Sequence, residues 1–420
     1  MTACGNGMWT EAHVARTAEV VIVGGGIWGL STAYHLTEMG LSDVRVLERN
    51  PIVVDETTPQ AAGLIGQIRS SAVMVRAIQY SLELLTRFQT DMGRDMGLRR
   101  NGSLFVALTP ERQAAYERKA ASVEAEGIRT EFPSAAEMRE MAPDMDTSAL
   151  AGGLFVHGDG YLNPAKCALA YGAAAQELGA TVDTGVTVTG FRIDGDTLTG
   201  VETMTGVVST DTAIITAGPW GGMLAAHADH TAAMRPLRHQ RAETVPVDTM
   251  TEHMPVVRVT DVSCYVRPWE GGYTYGFFEP GPKDAELETK PPDFSTSDLE
   301  PPVEVLSEAR RRLAPVFPIL AELEVAEYRR GMTSFAPDGA YIMGPVPGGK
   351  GLYIATACAA LGIAASAAVG RWLAKWTIDG DPGEDLSAFA PDRFGDRVTD
   401  GAWLRSAAAE FYSGYYAIRD

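Results

Sequence analysis

The stretch from Ala18 to Arg49, AEVVIVGGGIWGLSTAYHLTEMGLSDVRVLER, constrains the fold of this chain more than any other. Val20 to Val23 is a β-branched run bounded by glycines, short enough for a strand buried on both faces. Gly24, Gly26 and Gly29 follow with GxGxxG spacing. In such a turn the first glycine lets the chain reverse tightly, the second lets backbone approach a pyrophosphate, and the third lets helix and strand pack closely. Residues 30–39 suit a helix whose amino-terminal N–H groups and partial positive charge would point at the phosphates. A second strand over 44–47 ends at Glu48, nineteen residues after Gly29, where a carboxylate can accept hydrogen bonds from adenosine ribose hydroxyls. A glycine-rich turn alone is also what any tight βαβ unit uses. Strand, glycines, helix, strand and acid in this order point to a bound dinucleotide. Glu48 disfavours a 2′-phosphate, and so NADP, but the fingerprint does not separate FAD from NAD.

The 420 residues, 45% hydrophobic and 21% charged, form a globular composition with room for two or three domains or one composite fold. A formal net charge of −19 disfavours nucleic acid and anionic membranes as general partners. Cys4, Cys167, Cys264 and Cys358 show neither CxxC nor metal-like spacing, so no disulfide framework and no metal site are expected, and a reducing, cytoplasmic setting fits. Residues 1–17 lack the apolar core of a secretory signal and read as a flexible leader. Gly351 to Gly370 carries no charge but is largely alanine and glycine. It reads as a buried strand over 352–355 feeding a tightly packed helix rather than as a membrane span.

Between these ends the chain alternates. Small residues in DETTPQAAGLIGQIR, Asp55 to Arg69, let main chain lie close to a ligand, and residues 73–88 have helical periodicity. A strand follows Asn101-Gly102, then a charged surface helix over 110–127. A helix over 165–178, a meander turning at Asp194-Gly195 and a strand running into Ala217-Gly218-Pro219-Trp220 return the chain to the first sheet. Residues 236–278 read as several strands, the proline-rich acidic stretch after Glu279 as a surface loop and candidate lid, and 303–313 as a helix.

Taken together, VVIVGGGIWGLSTAYHL with Glu48, TTPQAAGLIGQIR, NGSLFVALTPER, IITAGPW, YVRPWEGGYTYGFFE, FAPDGAYIMGP and GLYIATACAALGIAASAAVG occur in the order found in the amine-oxidising flavoproteins. The chain resembles this family, which includes monomeric sarcosine oxidase, glycine oxidase, D-amino-acid oxidase and the flavin half of dimethylglycine and sarcosine dehydrogenases, over about residues 18 to 394. The resemblance implies an α/β (α+β composite) fold: a Rossmann-like FAD-binding domain assembled from residues 18–95, 150–235 and 326–394, with an antiparallel-sheet substrate domain from 96–149 and 236–325 and a C-terminal extension over 395–420. It implies that Arg49, Ala61, Ala62, Gly63 and Leu64 border the cofactor and that Val186 meets adenine through its backbone. Ala217, Gly218, Trp220 and Gly331 would line the flavin, and a helix starting near Leu361, Gly362 and Ile363 would aim its positive end at the flavin N1 and O2.

Departures from the family refine this expectation. Gln60 and Gly331 stand where relatives carry the histidine or cysteine that bonds to the flavin, so FAD is expected to be non-covalent. Thr274 stands at the position of an oxygen-activating lysine, and Thr333 near that of a carboxylate-gripping arginine. The reaction the family implies moves a hydride from the carbon beside a neutral amine nitrogen to flavin N5, giving an imine that water hydrolyses, with oxygen or another group as electron acceptor. Arg69, which follows the flavin-proximal loop, is a candidate carboxylate clamp or a surface ion-pair residue. Tyr265 and Arg267 share one face of a strand and are candidates for the site or for plain packing, while Thr274 is carried over by position. Three functions stay open: oxidation of a secondary or tertiary amine such as an N-methyl amino acid, oxidation of a 2-hydroxy acid or a dedicated biosynthetic intermediate, and a non-catalytic FAD-binding subunit or assembly factor with partner chains.

Overall fold

A computed structural model describes residues 10, 11 and 16–418. Its first layer is a seven-stranded sheet in the order Thr10–Glu11, Thr181–Thr184, Val44–Glu48, Val20–Val23, Ala213–Ile215, Leu352–Thr356, Ile342–Pro345. All neighbouring pairs are parallel except the last. Val20–Val23 lies at the centre and is buried throughout, as its unbroken apolar run requires. The helix after the glycine turn, Ile27–Glu38, is buried from Ile27 to Thr37 because it lies between the helices Pro164–Glu177 and Ser366–Asp379. Part of the expected leader joins this layer: Thr10–Glu11 adds a short parallel strand to Thr181–Thr184, so those two residues continue the sheet edge. The remainder of the leader up to residue 15 lies outside the described residues.

The second layer is an eight-stranded sheet in the order Val325–Phe335, Arg235–Thr244, Gly272–Phe277, Cys264–Trp269, Val256–Val259, Ser103–Ala107, Gly152–Val156, Thr130–Glu131. It is antiparallel apart from the pairing of Val256–Val259 with Ser103–Ala107. Gly152–Val156 and most of Val325–Phe335, expected in the nucleotide-binding segments, belong to this sheet instead. Backbone pairing decided this, because a strand next to a glycine loop carries no sequence mark of which sheet it completes. The meander Val188–Asp194, Thr197–Thr203, Gly206–Ser209 forms a separate three-stranded sheet. The helix Gly401–Ser413 packs on Arg235–Thr244 and Val325–Phe335, so the C-terminal extension is part of the folded body. Among the described residues no helix is long and apolar enough to cross a membrane.

Inside the first layer, His35 is fully buried on the glycine-turn helix. Its Nδ1 lies 2.7 Å from the Ser31 carbonyl, which can only accept, so Nδ1 carries the proton and Nε2 accepts from the Tyr80 hydroxyl at 3.0 Å. Burial lowers its pKa from 6.5 to about 4, reinforced by Arg371. The unfolded chain therefore takes up a proton between pH 6.5 and 4 that the folded chain refuses, and this contribution to stability is full above pH 6.5 and declines as pH falls. Urea unfolding is expected to show stability lower by about 2 kcal/mol at pH 5 than at pH 7 from this residue. The drop should shrink in His35→Asn.

Candidate active site

Between the two layers runs a cavity of about 580 Å³, within the range of cofactor and ligand pockets. Its first end is the glycine turn. Gly24 has φ +112°, and a Cβ there would lie 2.8 Å from the Thr216 carbonyl oxygen. A Cβ on Gly29 would lie 2.0 Å from the Gly24 carbonyl oxygen, so the third glycine serves close packing. Gly26 has no side chain to cap Ile27–Glu38 and the first turn holds no acid; the Ile27 N–H donates to Thr58 Oγ1 at 3.2 Å, and the positive helix end faces the cavity. Glu48 closes this end: its Oε2 accepts from the Gly25 N–H at 2.7 Å and its Oε1 from the Asn50 N–H at 2.9 Å. Burial pushes the Glu48 carboxyl up, against those two donors. Val186 lines the same end, but its N–H donates to the Glu48 carbonyl at 2.8 Å. Only the Val186 carbonyl is left to meet a ligand.

Arg49 lies 4.0 Å above the Trp220 ring and donates to Glu56 at 2.6 Å and to the Phe294 carbonyl at 3.0 Å. Glu56 also accepts from the Thr296 N–H at 2.8 Å. The acidic loop after Glu279 is thereby tied to the rim of the nucleotide end instead of hanging free as a lid. Ala217, Gly218 and Trp220 line the cavity from the other side.

The middle of the cavity is bordered by Ala61, Ala62, Gly63 and Leu64. The carbonyls of this loop are gripped from behind by two buried arginines of the second sheet. Arg267 donates to the Ala62 carbonyl at 2.7 Å, and Arg241 to the Gln60 carbonyl at 3.0 Å. Arg241 in turn pairs with Glu243 at 2.6 Å and donates to Thr274 Oγ1 at 3.1 Å. Burial lowers the Arg267 pKa to about 9, followed by repulsion from Arg241. Two sequence candidates are corrected here. Neither Arg267 nor Thr274 lines the cavity; both stand behind the loop, Arg267 as its support and Thr274 as a partner of Arg241. Tyr265, two residues before Arg267 on the same strand, does line it. Equal parity put both side chains on one face, but the interposed loop separates Arg267 from the cavity.

Gly331 faces Gln60 across this region, where a Cβ on Gly331 would lie 2.9 Å from the Gln60 Cβ. The two positions at which a flavin bond was considered therefore meet at one spot, and neither residue is a nucleophile. Leu361, Gly362 and Ile363 also line the cavity, yet the helix expected to begin there starts at Ser366. The residues before it form turns, preceded by Ala357, Ala359 and Ala360, which have φ of 56°, 46° and 58°. Left-handed backbone costs an alanine about 1–2 kcal/mol, and residues held in it cannot form part of a right-handed helix. The strained loop is held to Val325–Phe335 by Ala360 N–H donating to Thr333 Oγ1 at 3.0 Å and Ala359 N–H to the Ser334 carbonyl at 2.9 Å. Ala360→Gly relieves strain without removing buried surface and is expected to raise stability by about 0.5–1 kcal/mol in denaturant titration.

The far end is a chamber lined by Arg69, Arg258, His239, Tyr265, Phe278, Tyr415 and Tyr416. Arg69 lies deep in the protein with part of its surface open to the cavity; it donates to the Ile68 carbonyl at 2.6 Å, and its Nε has no partner. Arg258 is buried, donates to the Tyr416 hydroxyl at 3.2 Å, and also has an unpartnered Nε. Burial lowers the Arg69 pKa, with Arg258 adding to the effect, whereas Tyr416 and Asp159 outweigh burial at Arg258 and raise it. His239 is kept neutral, its pKa lowered to about 4 by burial and by Arg241, and its Nδ1 lies 2.8 Å from the Tyr412 hydroxyl. Arg258, Tyr415 and Tyr416 escaped sequence reasoning: a basic residue in a strand and two tyrosines near the C-terminus carry no motif.

A cavity that starts at a glycine turn opening a helix, with an acid at the next strand end, and finishes in a chamber roofed by an antiparallel sheet, defines a dinucleotide-dependent enzyme class with a separate substrate layer. The family profile described as "FAD dependent oxidoreductase" matches residues 19–376, and the chain belongs to that family. It is 31% identical to 4-methylaminobutanoate oxidase (formaldehyde-forming) of Paenarthrobacter nicotinovorans, over 95% of this chain and 48% of that protein. It is 29% identical to the mitochondrial pyruvate dehydrogenase phosphatase regulatory subunit of Mus musculus, over 97% of this chain and 47% of that protein. The chain thus spans about half the length of these curated relatives. Among solved structures, L-proline dehydrogenase from P. horikoshii superposes with a TM-score of 0.81 at 24% identity, covering 91% of this chain and 98% of that one, and shares the fold. FAD is the family's cofactor, and the glycine cradle, the positive helix end and Glu48 fit its adenosine diphosphate half.

Proposed function

We propose that this chain oxidises the C–N bond of a secondary or tertiary amine that carries a carboxylate, an N-methyl amino acid or a close analogue. The observation that carries this reading is the far chamber: two arginines, each with an unpartnered Nε, line it, neither has a described carboxylate oxygen within ion-pair distance, and the buried Asp159, which acts on both from further off, is one acid against two cations. Arginine stays protonated in proteins, so such a pair calls for an anion, and guanidinium recognises carboxylate with good geometry. The similarity to a methylaminobutanoate oxidase supports the amine.

On this reading Gly24, Gly26 and Gly29 hold the pyrophosphate, Glu48 the ribose and the Val186 carbonyl the adenine, with Arg49 and Trp220 at the rim. Ala61 to Leu64, Ala217, Gly218, Gly331 and Leu361 to Ile363 border the ring system, which is held without a covalent bond. Bound FAD supplies the hydride acceptor. Arg69 and Arg258 fix the carboxylate, Tyr265 and the chamber's aromatic side chains exclude water, and His239 stays neutral so that it adds no charge beside the amine. The protein removes no proton in this scheme; the substrate arrives as the free amine.

Anaerobic titration of the flavin-loaded protein with N-methyl amino acids, simple amines and 2-hydroxy acids tests the proposal. Bleaching by carboxylate-bearing N-methyl amines supports it, and readmitted air shows whether oxygen accepts the electrons. Acid precipitation should leave the flavin in the supernatant. Likeness to a regulatory subunit favours a second reading, a non-catalytic flavin-binding chain. That reading takes over if dithionite bleaches the flavin and no candidate donor does.

A further inference from the structure

The C-terminal helix Gly401–Ser413 starts on the nucleotide side, with Leu404 in the core behind the parallel sheet, and ends at the chamber. From there the chain places two tyrosines against the substrate layer. The Tyr415 ring stacks on Phe278 with centroids 4.1 Å apart and planes 5° from parallel, and the Tyr416 ring stands at 84° to Phe278 with centroids 5.3 Å apart. Tyr416 is tied at both ends. Its hydroxyl accepts from Arg258 Nη1 at 3.2 Å, and its carbonyl accepts from Arg112 Nη1 at 3.0 Å. Arg112 is itself paired with Asp261 at 3.1 Å. Both tyrosines remain half-buried with a face toward the cavity.

This arrangement has a physical consequence. Arg258 lies over the Phe105 ring at 5.4 Å, feels the buried Asp159 and donates to the Tyr416 hydroxyl, so a residue of the C-terminal extension shares in fixing its orientation. A buried guanidinium without such a partner would adopt several rotamers and present fewer N–H groups to an anion. The stacked Tyr415 forms a flat wall in front of Phe278.

We propose that Tyr416 is a positioning residue, orienting Arg258 for a substrate carboxylate, and that Tyr415 is the wall that restricts the chamber to small side chains. The proposal rests on the carboxylate reading of the chamber. It assigns to the C-terminal extension the choice among amino-carboxylates of different size.

The test uses the full chain loaded with FAD, as wild type, Tyr416→Phe and Tyr415→Ala. Butanoate, which has no C–N bond, is titrated by flavin difference spectroscopy so that affinity is read without turnover, and butylamine serves as the probe lacking a carboxylate. Tyr416→Phe should weaken butanoate about tenfold, the effect of losing one hydrogen bond to a charged group, while butylamine affinity and flavin retention stay unchanged. Tyr415→Ala should raise kcat/KM for N-methylphenylalanine relative to sarcosine at least tenfold. Unchanged butanoate affinity in Tyr416→Phe, or equal changes for both probes, overturns the positioning role. An unchanged substrate ratio in Tyr415→Ala, or a uniform loss for both substrates, overturns the wall. Failure of the wild type to bind butanoate overturns the carboxylate reading together with this inference, whereas butanoate binding with no reduction by any amine overturns only the assigned reaction.

Discussion

Gly29→Ala is expected to abolish flavin binding and to yield little folded protein. The added Cβ would sit 2.0 Å from the Gly24 carbonyl oxygen, a backbone atom that no side-chain rotation moves, and 2.8 Å from Thr216 Oγ1, which could turn away only by giving up its hydrogen bond to the Val23 carbonyl. Relief requires the helix Ile27–Glu38 to move away from Val20–Val23, and that helix is itself wedged between two others. Overpacking in so tight a core costs about 3 kcal/mol, comparable with a large part of a domain's net stability. The displaced helix end would also no longer face a pyrophosphate. Soluble yield, the visible flavin spectrum and the thermal midpoint of any recovered protein measure the outcome. Normal yield with full flavin content would show that the turn tolerates a side chain.

Arg69→Met is expected to reduce kcat/KM for an N-methyl amino acid about a hundredfold, the effect of losing a charge-assisted contact worth about 3 kcal/mol. Most of the loss should fall on KM, because the carboxylate is held equally before and during hydride transfer. The variant should fold. Arg69 donates to the adjacent Ile68 carbonyl, and removing a cation repelled by Arg258 relieves a burial cost. Arg258→Met should act in the same direction but with a larger loss of stability, since its partner Tyr416 and the nearby buried Asp159 would be left without it. Steady-state kinetics on sarcosine and on an amine without a carboxylate check the selectivity. Equal losses on both substrates would remove the carboxylate role from Arg69.

Several features were visible in the residues alone because their physics is local. The strand Val20–Val23 and the helix Val303–Leu313 occur at the expected residues, since an unbroken β-branched run and a strongly amphipathic segment each leave one solution. Gly29 likewise packs on the Gly24 carbonyl, and Glu48 meets the same turn at the Gly25 N–H, because the turn, the helix and the next strand are contiguous in sequence. The start of the helix at Ser366 was not visible. Its delay follows from alanines held in left-handed backbone by bonds to Thr333 and Ser334, residues on a strand of the other layer.

By its sequence alone this chain determined a dinucleotide-binding α/β unit, its family and the contiguous half of its cavity, because periodicity, glycine spacing and motif order are properties of neighbouring residues. Only the tertiary structure decided the other half. Arg267 was separated from Tyr265 by a loop whose carbonyl it holds, and Arg69, Arg258 and Tyr416 were brought together from three distant segments. Burial and charge at that chamber depend on which side chains converge in space, and convergence across the two layers is set by sheet pairing and by the path of the final helix rather than by any local pattern.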